Sequence, residues 1–258
     1  QPETARFERV VAEHVQQSIT AILQDDRGFL WFGTPNGLVH YDGYTTKMLQ
    51  HHPADTISLT DNYVSALCKV AENSRKTLWV GTQNVLNQYK KKKERFVRYK
   101  HSPDDPQSLG HNSIIVLHAG RSGTLWIGTF GGGLCRFVPD GAVSGPGRGH
   151  FVNYSHDPND STSISSDRVL AIHEDRNGIL WVGTGDGGLN RFDPATGIFD
   201  RTPLRALEND KLAGKSVSAL LASQDDRELW VGTVFKGDLF RMTQNRDRAG
   251  YNSLERTG

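Results

Sequence analysis

Five short segments of this chain carry large apolar residues at consecutive positions instead of alternating them with polar ones. They read Leu-Trp-Phe-Gly-Thr from Leu30, Leu-Trp-Val-Gly-Thr from Leu78, Leu-Trp-Ile-Gly-Thr from Leu125, and Leu-Trp-Val-Gly-Thr from both Leu180 and Leu229. Three consecutive large apolar residues of this kind predict a strand covered on both faces. An apolar strand precedes each one: Ile19 to Ile22, Val64 to Leu67, Ile114 to Leu117, Val169 to Ile172 and Val217 to Leu220. A third strand follows, beginning at Leu38, Leu86, Leu134, Leu189 and Leu239. More polar fourth segments begin at Arg95, His150 and Ile198, which suits an outer edge strand.

The five tryptophans, Trp31, Trp79, Trp126, Trp181 and Trp230, are spaced 48, 47, 55 and 49 residues apart. That period is the length of a four-stranded propeller blade, about 40 to 50 residues. The fold class read from it is all-β, a β-propeller of five four-stranded blades forming a single domain over 1–258, with repeats at about 11–50, 60–100, 110–156, 165–203 and 214–243. Glycine after the tryptophan pair lets a neighbouring blade come close where a Cβ would obstruct it. Hairpin turns ending at Gly28, Gly123 and Gly178 call for a positive-φ residue, whereas Lys76 and Arg227 stand at that place in the second and fifth copies, so those turns should differ.

Two forms of the ring fit the pattern. Arg6 to Val10 matches the fourth-strand segment of Arg95 to Tyr99, so residues 5–11 are expected to close the ring as the outer strand of the last blade. The polar tail after Gln244 is then left without a strand. Alternatively the chain forms the first five blades of a seven-bladed propeller.

Composition adds few constraints. Thirty Lys and Arg against 29 Asp and Glu leave a formal charge of +1 and no global electrostatic case for nucleic acid. No segment approaches the roughly 20 apolar residues of a membrane helix. Gln1 in place of Met suggests a processed chain or an excised piece, from which an export signal could have been removed. Two cysteines, Cys68 and Cys135, cannot build a disulfide scaffold.

Residues Asp175 to Asp193 contain an acidic turn, Gly, Leu-Trp-Val-Gly-Thr, Gly-Gly-Leu and Arg-Phe-Asp in succession, and the first copy ends Tyr-Asp-Gly-Tyr at Tyr41 to Tyr44. This pattern resembles the two-component regulator propeller repeats of extracytoplasmic sensor regions in bacterial hybrid histidine kinases and some diguanylate cyclases. The resemblance runs from about Phe7 to Thr243. It implies a non-enzymatic, ligand-sensing input domain of a two-component signalling protein, periplasmic or extracytoplasmic, with a small molecule or an oligosaccharide as ligand. Kinase or cyclase activity would lie in other domains. Dimerisation through the sensor region is left open. Val85, in place of the usual glycine before Leu86, and the Lys236-Gly237-Asp238 loop depart from the family pattern.

Loops after the second strands should share one face with the interblade linkers, and Asn36, Asn84, Phe130, Asp186 and Lys236 vary between copies there, which makes them the candidate ligand-binding residues. The competing reading is that Asn, Asp and Gly only satisfy turn geometry. No catalytic residue, metal site or cofactor is expected. Three His-x-Pro-x-Asp linkers at His51, His101 and His156 contain metal-ligand types, but equivalent positions on successive blades do not converge on one ion. Pro, Asp and Ser there should fix the linker path while Leu59, Leu109 and Ile164 plug the blade junctions. Gly131 to Gly133 lies between two strands and is no phosphate cradle. Lys90 to Lys93 reads as a solvated hairpin, and Pro139 to Gly149 as a flexible excursion. Two other functions remain on this fold. A protein-interaction scaffold would show an apolar patch around Phe130 and Phe235, and a propeller glycan hydrolase or lyase would need convergent carboxylates, for which Asp186 and Asp238 are thin material.

Overall fold

The computed structural model describes residues 18–72, 75–140, 149–200, 212–234, 237–244 and 251–257. Its backbone forms five four-stranded antiparallel sheets, each with its strands in sequence order. The first comprises β1 (Ala21–Gln24), β2 (Leu30–Thr34), β3 (Gly37–Tyr41) and β4 (Thr46–Leu49); the second β5 (Val64–Glu72), β6 (Arg75–Thr82), β7 (Leu86–Lys90) and β8 (Arg95–Tyr99). The third holds β9 (Ile114–Ala119), β10 (Leu125–Thr129), β11 (Leu134–Val138) and β12 (His150–Tyr154). The fourth and fifth are β13 (Val169–Glu174), β14 (Leu180–Thr184), β15 (Leu189–Asp193), β16 (Ile198–Asp200), and β17 (Val217–Ala222), β18 (Glu228–Thr233), β19 (Leu239–Gln244), β20 (Tyr251–Arg256). The all-β propeller of five four-stranded blades read from the repeats is therefore the fold.

Each repeated residue has an identifiable task. The motif tryptophan of one blade packs on the third strand of the next: Trp31 lies 5.4 Å from Tyr89, Trp79 4.9 Å from Phe137 and Trp126 5.7 Å from Phe192, between ring centroids. Trp181 does the same in a cluster with Met242. The motif glycine admits the inner strand of the following blade. A Cβ on Gly33, Gly81, Gly128 or Gly183 would approach Val64, Ile114, Val169 or Val217 to 2.9, 2.6, 2.6 or 2.7 Å, distances that real Cβ atoms do not show. Among the described residues four hydrophobic cores result, and each spans two adjacent blades. The consecutive apolar residues are thus covered on both faces because a blade has a neighbour on both sides.

The motif threonine ties down the loop that follows. Thr129 is fully buried; its Oγ1 donates to the Gly133 carbonyl at 3.0 Å and accepts from the Gly132 N–H at 2.9 Å. Thr34, Thr82, Thr184 and Thr233 donate to the carbonyls of Gly37, Val85, Gly188 and Asp238 in the same way. Thr129→Val keeps the shape but leaves the Gly132 donor without a partner, so about 2 kcal/mol of unfolding free energy should be lost in a urea titration.

The linkers are structural as expected. His51, His101 and His156 each place Nδ1 2.7 to 2.8 Å from the carbonyl oxygen of Leu59, Leu109 or Ile164, and those three apolar residues are fully buried. The second and fifth hairpins do depart from the others. β5 and β6 pair as far as Glu72 and Arg75, and in the fifth the positive φ of 49° falls on Asp226. Lys91–Lys93 forms a single 3-10 turn with no buried residue.

The last blade differs from expectation at its outer edge. The strand beside β19 is β20, which comes from the C-terminal tail; residues 5–11 and most of the 139–149 excursion lie outside the described residues. An edge strand needs only backbone pairing on one side, so its polar sequence carries no apolar signature. Leu254 packs against the fifth core and the Arg241 guanidinium pairs with Glu255 at 2.9 Å. Among the described residues, no core joins the fifth blade to the first. The nearest neighbour of a Cβ on Gly232 would be Ala219 of its own sheet at 3.3 Å, Trp230 is only half-buried, and Leu221 and Ile22 are 70% and 64% exposed.

Candidate functional site

The face that gathers the loops after the second strands is organised by a repeated backbone bond. The residue after each motif threonine donates its N–H to the residue opening the inner strand: Gln83 to Tyr63, Phe130 to Ser113, Gly185 to Arg168 and Val234 to Ser216. Pro35 holds the corresponding place in the first blade and has no N–H to give. Immediately beyond this bond the inner strands of blades two to five carry a β-bulge, because the register shifts by one residue at Ser65, Ile115, Leu170 and Ser218. A bulge re-aims a side chain out of the ladder. Ser65 uses its freed position to donate to the Ile114 carbonyl of the next blade at 2.6 Å, and Thr20 bonds likewise to Val64.

These residues line a cavity of about 560 Å³ over the first three blades. Hydroxyls of Thr20, Tyr63, Ser65 and Ser113 and the Gln83 amide supply its polar wall, while Ile115 and Phe130 supply apolar surface. Phe130 is 49% exposed and Tyr63 36%, so two aromatic rings face solvent at its mouth. The Arg168 guanidinium lies over the Phe130 ring, 5.0 Å from its centroid.

Of the five residues singled out in the sequence, Phe130 lines the cavity, and Asn36, Asn84 and Asp186 do not. Asn36 is exposed, with its N–H bonded to Thr34 Oγ1 and its carbonyl accepting from Gln50. The Asn84 amide donates to Asp61. Asp186 is exposed on the fourth blade, and Lys236 and Phe235 lie outside the described residues. The cavity is built one residue earlier, from the position directly after threonine and the last residue before the apolar inner strand. Both positions vary in the sequence, at Tyr63, Ser113 and Arg168 and at Gln83, Phe130 and Gly185, which is the signal that could have found them.

Two carboxylates on this face, Asp61 and Asp238, are engaged, while Asp186 is exposed. Asp61 holds Asn84, and Asp238 is paired with Lys215 and with Arg256. No group of three or more His, Cys, Asp or Glu side chains is placed to hold a metal ion among the described residues. No helix among them is long and apolar enough to cross a membrane. Burial pushes the Cys68 and Cys135 thiols up to about 12, so both are unreactive at neutral pH.

The opposite face, at the hairpin turns, is a charged lock between blades three, four and five. The buried Asp226 carboxylate receives Arg121 at 2.7 Å and Arg176 at 3.3 Å, and the His173 ring lies 3.9 Å away. Beside it, burial above all, with His173 and Arg121 adding, lowers His118 from 6.5 to about 4. The folded chain therefore resists a proton that the unfolded chain accepts. Stability present above pH 6.5 should decline as pH falls towards 4, by up to about 3 kcal/mol from this group, and His118→Leu should flatten that part of the pH profile of urea unfolding.

The description "two component regulator propeller" belongs to the family model that matches residues 15–36 and 163–186. No curated protein matches. Among solved structures, the chain is 22% identical to the extracellular domain of a hybrid two component system from B. thetaiotaomicron, with 93% of this chain and 35% of that one covered and a TM-score of 0.53. Virginiamycin B lyase from Staphylococcus aureus is 15% identical over 96% of this chain and 72% of the other, with a TM-score of 0.64. PorZ, a surface component of the type-IX secretion system of Porphyromonas gingivalis, is 18% identical over 88% and 32%, at 0.62. The chain thus spans about a third of the two-component structure that it matches. At these identities the likeness concerns the fold. The two matched segments hold the first inner strand with its Leu-Trp-Phe-Gly-Thr motif and the fourth inner strand with its Leu-Trp-Val-Gly-Thr motif, so two of the five repeats of this chain are similar to the two component regulator propeller repeat.

Proposed function

We propose that the chain is the ligand-sensing, extracytoplasmic input propeller of a two-component signalling protein, and that the cavity over the first three blades receives an oligosaccharide. The observation that carries this reading is the cavity itself: exposed Phe130 and Tyr63 rings stand beside four hydroxyls and an amide, all held on rigid strands and tied loops. A flat apolar surface next to hydrogen-bonding groups matches a sugar ring, which is apolar across its C–H face and polar at its edge. The match of two segments to the two component regulator propeller model supports the sensing role, and the likeness to the B. thetaiotaomicron extracellular domain supports the location. The engaged state of Asp61 and Asp238 gives catalysis no free carboxylate pair among the described residues of the site.

Calorimetry against a panel of plant, host and bacterial oligosaccharides tests the reading. Phe130→Ala should weaken the best ligand at least about tenfold while the melting temperature stays within about 2 °C, since half of that side chain already faces water. Unchanged affinity would remove the cavity from consideration. Retention of a protein partner by a Phe130-dependent contact, with no glycan bound, would favour an interaction scaffold.

A further inference from the structure

Arg168 occupies the same place on the fourth inner strand as Tyr63 and Ser113 on the second and third, since its carbonyl accepts from the residue after the motif threonine. Its side chain does not stay over its own blade. It crosses towards the third blade and brings its guanidinium carbon to 5.0 Å from the centre of the Phe130 ring. Gly185 makes the path available: a Cβ there would stand 2.9 Å from both Cζ and Nε of Arg168.

The guanidinium has no ion-pair partner among the described residues, and its Nε is buried without a hydrogen bond. The Nε atoms of Arg95, Arg136 and Arg241 are likewise buried without a hydrogen bond, but Arg168 is the one beside the cavity, over Phe130, whereas several other arginines are paired. Arg121 and Arg176 hold Asp226, Arg98 holds the carbonyls of Asp55 and Ser58, and Arg256 pairs with Asp238. An arginine fixed over an aromatic ring, with a buried donor unused, is left in a state that a ligand oxygen would improve.

We propose that Arg168 is the anion-recognising residue of this cavity, so that the ligand is an acidic oligosaccharide, with the sugar face on Phe130 and its carboxylate or sulfate on the guanidinium. The inference rests on the sensing function proposed above and names the ligand class of the same site. Planar guanidinium binds such oxyanions through two parallel N–H bonds, shorter and about twice as strong as neutral ones. No proton or covalent step is involved.

Calorimetry with trigalacturonate, its neutral methyl ester and a sulfated galactobiose separates the outcomes. The wild-type chain should bind trigalacturonate at least about tenfold tighter than the ester, and Arg168→Gln should erase that difference while changing ester affinity less than about twofold. Arg168→Lys should keep part of it, and Gly185→Ala, which displaces the side chain, should reduce it. Preference for the sulfated sugar over the acid, lost in the same variants, assigns the anion as sulfate and supports the inference equally. Equal binding of acid and ester by the wild type, or discrimination surviving in Arg168→Gln, overturns it. Ester binding that Phe130→Ala abolishes leaves the proposed sugar site standing with the anion role gone. Absence of binding by all three ligands also overturns the inference, while the neutral-oligosaccharide panel decides the sensing function separately.

Discussion

Gly128→Ala should cost about 3 kcal/mol of unfolding free energy, and Gly232→Ala close to nothing, although the two glycines hold the same place in the same five-residue motif. A methyl group on Gly128 would meet Val116 at 2.5 Å and Val169 at 2.6 Å, one from its own blade and one from the next. Both neighbours are strand residues of a packed core, so relief requires the blades to move apart, and overpacking of this kind typically costs 1 to 3 kcal/mol or more. Gly232 has only Ala219 at 3.3 Å. Paired urea titrations check the contrast. A similar loss in both variants would mean that the fifth blade is covered in solution by the chain itself, as in a closed five-bladed ring.

Trp79→Ala should be more damaging still, with a loss of about 4 kcal/mol. Its ring is fully buried and touches Tyr99 at 5.3 Å and Phe137 at 4.9 Å between centroids, so the substitution opens a cavity in the core shared by blades two and three. Trp230→Ala should lose far less, because its ring is half-buried and its described neighbour, the Arg241 guanidinium 5.9 Å away, belongs to its own sheet, as Arg136 does beside Trp126, with no aromatic or methionine partner from a following blade among the described residues. Chemical denaturation monitored by circular dichroism measures both, since tryptophan fluorescence changes with the substitution itself. Equal losses would show that the fifth junction is filled.

Those contrasts bear on the two ring forms that the repeats allow. A closed five-bladed ring would bury Trp230 and the outer face of β1 against each other, whereas Ile22 and Leu221 are largely exposed. The faces stand as the two halves of a junction of the kind formed four times within the chain: an acceptor surface on blade five and a donor surface with Tyr41 on blade one, Tyr41 being the counterpart of Tyr89, Phe137 and Phe192. We propose on this ground that further blades complete the ring. Comparing the melting behaviour of this chain with that of a version extended by its natural flanking sequence tests the point, and an unchanged melting temperature speaks against it.

Much of the fold was legible because a propeller repeats its constraints. Leu-Trp-x-Gly-Thr recurs since a blade buries two faces, admits a neighbour at the glycine and ties a loop with the threonine, demands that the first four copies meet in the same way. The His-x-Pro linkers were equally readable, with Leu59, Leu109 and Ile164 in the junctions. The outer strand of the last blade was not. Tyr251 to Arg256 has no apolar period, and only pairing with β19 reveals it.

For the candidate site, the sequence pointed to the loop face and singled out Phe130, which lines the cavity proposed as the site. Variation among copies could not say which of two adjacent loop positions turns inward. That was decided by tertiary structure: the bulges at Ser65 and Ile115 and the backbone bonds from Gln83 and Phe130 aim one position at the cavity and leave Asn36 and Asp186 at the surface. Arg168 reaches Phe130 from another blade, over a glycine 17 residues further along the chain. A strand pattern records which residues must be buried, because burial repeats with the strand. It does not record where a long side chain crosses between blades, because that depends on the space its neighbours leave.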